Sequence, residues 1–298
     1  MHTIEVSQVA KAFGATQAVA DVSFAVEQGE IFGLLGPNGA GKTTTIRLIL
    51  DIFKPDRGTV SILGGSMTEE KKDRVGYMPE ERGLYQDMQL EQCLVYLGRL
   101  KGMSKTAAQS RVGEYLERFD LAQHKRKKAK ELSRGMQQKA QIISTVLHGP
   151  ELLILDEPFS GLDPVNTQLV KDLMEELRAA GSTIIMSTHM MRQVEELCDR
   201  ILLIDRGRNV LYGPLDQIRR DHSGHAVSVQ IDGDLPHMAG VESVDHRNGS
   251  LHLSLSIGSN PQDILQQLVS RGIPVQQFEI AMPTLDEIFI RVVGTHAD

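Results

Sequence analysis

The residues Gly36-Pro37-Asn38-Gly39-Ala40-Gly41-Lys42-Thr43 fit the phosphate-loop pattern G-x-x-x-x-G-K-[ST] at every fixed position. Gly36, Gly39 and Gly41 permit backbone angles that residues with side chains resist, so successive N–H groups can curl toward one centre. A helix starting at the end of the loop adds unpaired N–H donors and a positive dipole end, and both favour a bound anion. There Lys42 would reach the β- and γ-phosphates of a nucleotide, and the Thr43 hydroxyl would complete the shell of a Mg²⁺ ion. The flanks agree: Ile31 to Leu35 reads as a buried strand, and Ile46, Leu48, Ile49, Leu50, Ile52 and Phe53 have helical spacing. The plain alternative is a tight glycine turn. All the fixed positions together, with both flanks, favour a nucleoside triphosphate site.

A phosphate loop needs acids, and Leu152-Leu153-Ile154-Leu155 is an apolar strand that delivers Asp156 and Glu157 to its C-terminal end. The first carboxylate would hold Mg²⁺, directly or through water. The second would orient or deprotonate the water that attacks the γ-phosphate. Two adjacent acids at a strand end are otherwise common solvated residues; the upstream loop reverses that reading. His189, also just past a strand, could hydrogen-bond the γ-phosphate. Phe13, in a Lys11-Ala12-Phe13-Gly14 turn, could stack on a nucleobase or serve as a core residue.

These groups must be held by a scaffold, and the chain of 298 residues is long enough for about two domains. Residues 3 to 27 alternate as short antiparallel strands do. Strands are expected at Thr59 to Leu63, Val75 to Met78 and Thr183 to Met186, and a hairpin turns at Asp205-Arg206-Gly207-Arg208. Residues 89 to 148 read as mostly helical, with Val112, Tyr115, Leu116 and Phe119 on one face behind a Ser104 N-cap. Within them Lys125-Arg126-Lys127-Lys128-Ala129-Lys130 reads as a solvated loop. Pro164 suits the first position of another helix. Strands alternating with helices predict a mostly parallel α/β sheet with helices on both faces. A polar stretch at 221–225 reads as a linker. Beyond it, alternating strands, a helix from Pro261 to Arg271, a strand from Val275 to Ile280 and a Thr284-Leu285-Asp286-Glu287 capping box predict a small α+β domain.

Composition narrows the class of partners. A hydrophobic content of 41% and a charged content of 24% are ordinary for a globular protein. The net charge of −7 gives no basic field for nucleic acid or an anionic membrane. Cys93 and Cys198 lie far apart without ligand-like spacing, which suits a reducing cytosol. The Met1-His2-Thr3-Ile4-Glu5 start shows no signal peptide, and no apolar run approaches the roughly 18 residues of a membrane span. Membrane work would therefore require another chain.

Gly36 to Thr44, Leu132-Ser133-Arg134-Gly135-Met136, Leu153 to Glu157, Ser160 to Asp163 and His189 together resemble the ATP-binding-cassette (ABC) ATPases, in order and spacing, over residues 3 to about 220. The resemblance implies an α/β P-loop NTPase of ABC ATPase type with antiparallel β and helical subdomains. The ATPase domain would span 1–220, its helical subdomain about 88–148, and the accessory α+β domain 226–298. It implies a head-to-tail dimer in which Ser133 and Gly135 of one subunit close over ATP held by Lys42 and the Gly36 to Thr44 loop of the other. It also implies adenine stacking on Phe13, Glu157 as catalytic base, and Asp163 crossing the interface.

Two motifs depart from the family. The commonest signature is Ser-Gly-Gly-Gln, whereas Arg134 and Met136 stand here around Gly135. The loop after Tyr77-Met78-Pro79 usually starts with Gln; here it is Glu80, a carboxylate able to join Thr43 and Asp156 as a Mg²⁺ ligand. The phrase Pro79-Glu80-Glu81-Arg82-Gly83-Leu84-Tyr85, with the α+β tail, looks like the ATPase subunits of type-2 bacterial exporters similar to the sodium-extrusion ATPases. The expectation is an ATP-hydrolysing exporter subunit. It would sit at the cytoplasmic face of the cell membrane and drive a separate integral-membrane permease through the Glu80 to Tyr85 loop, with no nucleic acid bound. The alternative is a soluble ABC ATPase acting on nucleic acid or ribosomes.

Overall fold

A computed structural model describes residues 2–81, 83–223, 226–231, 235–247, 249–256 and 258–294. The chain begins with β1 (His2–Phe13), β2 (Thr16–Glu27) and β3 (Ile31–Leu35), then α1 (Lys42–Ile49) and β4 (Arg57–Ile62). Next come α2 (Glu69–Asp73), β5 (Val75–Met78), α3 (Leu90–Leu100), α4 (Lys105–Arg118) and α5 (Arg134–Val146). They lead to β6 (Leu152–Asp156), α6 (Pro164–Ala179), β7 (Thr183–Thr188), α7 (Met191–Leu197), β8 (Arg200–Asp205) and β9 (Arg208–Pro214). The remainder is α8 (Leu215–Asp221), β10 (Ala226–Ile231), β11 (Val241–Arg247), β12 (Ser250–Leu255), α9 (Pro261–Ser270), β13 (Val275–Ile280) and α10 (Leu285–Gly294).

Contacts divide the chain into two units, up to Tyr212 and from Gly213 onward. In the first unit, among the described residues, one sheet runs in the order β4-β1-β2-β9-β8-β3-β7-β6-β5. The strands β3, β6 and β7 are buried at every position, which explains their unbroken apolar runs. β8, β3, β7, β6 and β5 pair in parallel, whereas β1 pairs antiparallel with β2 and β4. Residues 3 to 27 thus form one pair of 12-residue strands rather than several short ones. Register slips near Val6 and Val9, where Gln8 takes φ 49, break the alternation that a reader would follow. Phe13 ends β1, so the turn starts at Gly14 (φ 60) and not at Lys11.

The helical segment packs α3 against α4 and α5. The Ser104 hydroxyl caps α4 by accepting from the Ala107 N–H at 3.2 Å, and Val112, Leu116 and Phe119 are buried. The basic run is solvated at most of its side chains, but its backbone does more than span a gap. Leu90 N–H donates to the Lys127 carbonyl and Glu91 N–H to the Lys125 carbonyl, pinning the start of α3.

The second unit begins earlier than the 221–225 stretch suggests. Its first helix, α8, belongs to it: Arg219 Nε donates to the Pro283 carbonyl at 3.2 Å. Gly224 and His225 of the expected linker, Arg82 of the Pro79–Tyr85 phrase and Ile257 lie outside the described residues. The sheet order is β11-β12-β10-β13, around a core that includes Val227, Val229, Leu253, Ile264 and Leu268. The capping box forms as expected, with Thr284 N–H donating to Glu287 Oε2 at 2.9 Å and Glu287 N–H to the Thr284 hydroxyl at 3.3 Å.

Candidate functional site

Parallel neighbours end on the same sheet edge, and ligands in such sheets bind beyond the carboxyl ends of the strands. The order β3-β7-β6-β5 therefore brings four loops together. Register confirms the alignment: Leu35 lies opposite Thr188, Asp156 opposite Ser187, and Met78 opposite Leu155. β3 delivers the glycine loop, β7 His189, β6 Asp156 and Glu157, and β5 Glu80.

The glycine loop is braced by tight backbone packing. Gly36 has φ 147, and a Cβ there would lie 2.2 Å from the Ile204 carbonyl oxygen. Gly41 has φ 109, and its Cβ would meet the Ala18 carbonyl oxygen at 2.5 Å. Gly207, in the turn between β8 and β9, donates its N–H to the Ala40 carbonyl at 2.9 Å and accepts from the Ala20 N–H at 2.8 Å. The loop is thus tied to β2 through that turn. Lys42 is buried and donates Nζ to the Gly36 carbonyl at 2.7 Å and the Pro37 carbonyl at 3.2 Å. Burial lowers its pKa against the opposing pull of Glu157, Asp156 and Glu80.

The acids are as firmly held. Asp156 is buried and accepts from the Thr43 hydroxyl at 3.1 Å through Oδ2 and from the Ser187 hydroxyl through Oδ1. Glu157 adopts φ 53, an uncommon angle for a residue with a side chain. Its carboxylate accepts from the Thr188 hydroxyl at 3.2 Å and from the His189 N–H at 3.1 Å, and His189 Nδ1 lies 2.8 Å from Oε1. A hydroxyl and a carboxylate in contact form a hard-oxygen pair suited to Mg²⁺.

A cavity of about 470 Å³ opens among these groups. Its lining includes Asn38, Gly39, Gly41, Lys42, Thr43, Thr44, Glu80, Asp156, Glu157 and His189, all expected from the sequence, together with Thr16, Gln17 and Ala18, which were not. Those three open β2 and carry no chemical signature; only their approach to Gly41 places them here. Gly36, Pro37 and Ala40 shape the loop from outside the lining.

Besides these three, four further expected residues are not brought into the cavity. Phe13 does not line it; its ring packs edge-on against Phe53 at 5.1 Å, with 44% of the residue exposed. Ser133 caps α5 by accepting from the Met136 N–H at 3.3 Å, and Asp163 caps α6 by accepting from the Asn166 N–H at 2.9 Å. Those bonds to Asn166 hold the Asp163 carboxyl below its usual range. Gly135 sits beside the Gly161 carbonyl, which a Cβ would approach to 3.2 Å. The signature turn and the Ser160 to Asp163 turn are therefore neighbours.

A parallel sheet whose strand ends present a glycine loop, a seated lysine, paired acids and a histidine defines a P-loop nucleotide-binding protein. Comparison with known proteins is consistent with that class. The ABC transporter family matches residues 19–160, and the C-terminal domain of DrrA1-3-like ATP-binding proteins matches residues 213–293. The ABC transporter ATP-binding protein YhaQ of Bacillus subtilis is 41% identical over 294 residues, covering 98% of each chain. Nod factor export ATP-binding protein I of Burkholderia lata is 39% identical over 213 residues, 70% of each. A solved ATP-binding subunit of an ABC transporter aligns with TM-score 0.69 at 35% identity, over 74% of this chain and 92% of that one. The chain belongs to the ATP-binding proteins of ABC transporters, a family that generally has ATPase activity. No helix among the described residues is long and apolar enough to cross a membrane.

Proposed function

We propose that this chain hydrolyses ATP with Mg²⁺ as the motor subunit of an exporter, working as a homodimer on a separate integral-membrane permease at the cytoplasmic face of the membrane. The observation that carries the reading is the convergence of Lys42, Thr43, Asp156, Glu157 and His189 on one cavity. The similarity to a Nod factor export ATP-binding protein supports the export direction, and transporter relatives favour this reading over action on nucleic acid or ribosomes.

Thr43 and Asp156 would hold Mg²⁺, with Glu80 as a further oxygen donor, and the ion would neutralise phosphate charge. The loop N–H groups and Lys42 grip the triphosphate. Glu157 takes a proton from the attacking water while an oxygen–phosphorus bond forms at the γ-phosphate and the bond to the leaving ADP oxygen breaks. His189 keeps the Glu157 carboxylate oriented. Phe13 stacks on the adenine with its exposed face. Ser133 and Asp163 are exposed and lie outside their own cavity, which leaves them, with Gly135, to close over nucleotide bound by a second copy.

Glu157→Gln tests this directly. Turnover by the purified protein should be abolished while an ATP-bound dimer accumulates on size exclusion; undiminished turnover would remove Glu157 as the base. Affinity capture from detergent-solubilised membranes should retain a multi-span partner, and a soluble assembly in its place would overturn the transporter role.

A further inference from the structure

The helix α5 buries an unusual number of polar side chains. Gln137, Gln138, Gln141 and Thr145 are all at most 8% exposed. A buried amide is costly unless it is hydrogen-bonded, so each of these side chains must answer for its position. Gln137 Nε2 donates to the Ala129 and Leu132 carbonyls just before the signature turn. Gln138 Nε2 donates to the Pro158 carbonyl at 2.9 Å and the Glu157 carbonyl at 3.3 Å. Gln141 Nε2 donates to the Pro79 carbonyl at 2.7 Å and the Glu81 carbonyl at 3.3 Å.

The last pair of bonds has a specific geometry. Pro79 and Glu81 flank Glu80, so a single amide group grips the backbone on both sides of that residue. With both neighbouring carbonyls fixed, the direction in which Glu80 leaves the chain is fixed too. It leaves toward the nucleotide cavity, whose lining it shares with Lys42, Thr43 and Asp156. Gln141 itself stays outside that cavity. It lines a different groove, of about 200 Å³, together with Pro79, Gly83 and Leu97.

Packing alone does not account for the amide. Gln141 is 3% exposed, and its Oε1 is buried without a hydrogen-bond partner among the described residues. An apolar side chain of the same length would fill the space with no orphaned oxygen. What the amide adds is its pair of donors to the Glu80 turn. We propose that Gln141 is a positioning residue: by clamping the Pro79 and Glu81 carbonyls it aims Glu80 at bound Mg²⁺-nucleotide. This inference rests on the nucleotide reading of the cavity.

A double-mutant cycle tests it. Gln141→Met keeps the volume and removes the donors; Gln141→Asn keeps a donor that is one methylene too short. Each is made alone and with Glu80→Ala. Affinity for a fluorescent ATP analogue is measured with Mg²⁺ and with EDTA, alongside kcat and the thermal midpoint. We expect either variant to weaken Mg²⁺-dependent binding and lower kcat by about five- to tenfold, as the loss of one or two hydrogen bonds predicts. With Glu80→Ala present, the further loss should shrink below about twofold, because the group being aimed is gone. Equal losses in both backgrounds, or a lowered midpoint with unchanged binding and turnover, would overturn the positioning role. Failure of the wild-type protein to bind the analogue at all would overturn the nucleotide reading itself, and this proposal with it.

Discussion

Glu157 Oε1 lies 2.8 Å from His189 Nδ1 and accepts the His189 backbone N–H at 3.1 Å, so the candidate base and the residue after β7 act as one unit. His189→Ala removes the side-chain half of that unit and leaves the backbone bond. Its kcat should fall by about 10²-fold, in the range expected when one positioned proton-transfer partner is disturbed. In a Glu157→Gln background the same change should add little, because groups acting as a unit are not additive. Steady-state ATPase assays on the four proteins decide it.

Lys42 is a buried cation with two carbonyl partners in its own loop. Burial already works against its charge, so Lys42→Ala relieves a desolvation cost as it loses those bonds. Affinity for a fluorescent ATP analogue should drop at least about tenfold, whereas stability in urea should change by no more than about 1 kcal/mol. A large loss of stability with intact affinity would contradict the assignment.

The glycines of the loop are not equivalent. A Cβ at Gly36 would clash with the Ile204 carbonyl at 2.2 Å, whereas at Gly39 (φ 81) it meets nothing within 4 Å. Gly36→Ala should therefore destabilise the fold by about 3 kcal/mol through clash and strain together, and Gly39→Ala by about 1 kcal/mol through backbone strain alone. Equilibrium urea unfolding of both variants measures the difference.

Burial and the nearby Lys101 ammonium push His148 down to about 4. In the unfolded chain an imidazole titrates near about 6.5. Between those values the unfolded chain binds a proton that the native fold does not, so stability falls as pH drops from about 6.5 toward about 4. His148→Gln removes this contribution. The stability of the variant should fall less steeply across that window, by about 2 kcal/mol after allowing for partial exposure. Urea unfolding of both proteins at a series of pH values isolates the imidazole from the carboxylates they share.

What could be read in advance was local. The phosphate loop, the Leu152 to Asp156 strand, the Ser104 cap and the Thr284 to Glu287 box are encoded within a few residues of themselves. The rest depended on distant partners. β11 escaped notice because its apolar residues are sparse, with Val244 itself 42% exposed. α7 follows Met190 and α8 follows Pro214, and neither of those cap residues makes a side-chain bond to announce the helix. The polar stretch at 221–225 suggested a boundary, but α8 is tied forward to Pro283 and joins the second unit. In the site, Thr16, Gln17 and Ala18 became visible only once β2 lay beside the loop. Gln141 looked like one more polar position on a helix until its two carbonyl partners were known.

The brace that Gly207 gives the phosphate loop also sets an order of events. The loop sequence is complete at Thr43, but the N–H that holds the Ala40 carbonyl and the oxygen that holds Ala20 belong to residue 207. A chain emerging from the ribosome therefore carries the whole motif long before it can hold the motif in shape. Non-local contacts of this separation form late in folding. Nucleotide thus cannot act as an early folding template. A fragment ending before Arg200 should ignore ATP although every loop residue is present, and binding competence should appear only as the turn between β8 and β9 clears the exit tunnel.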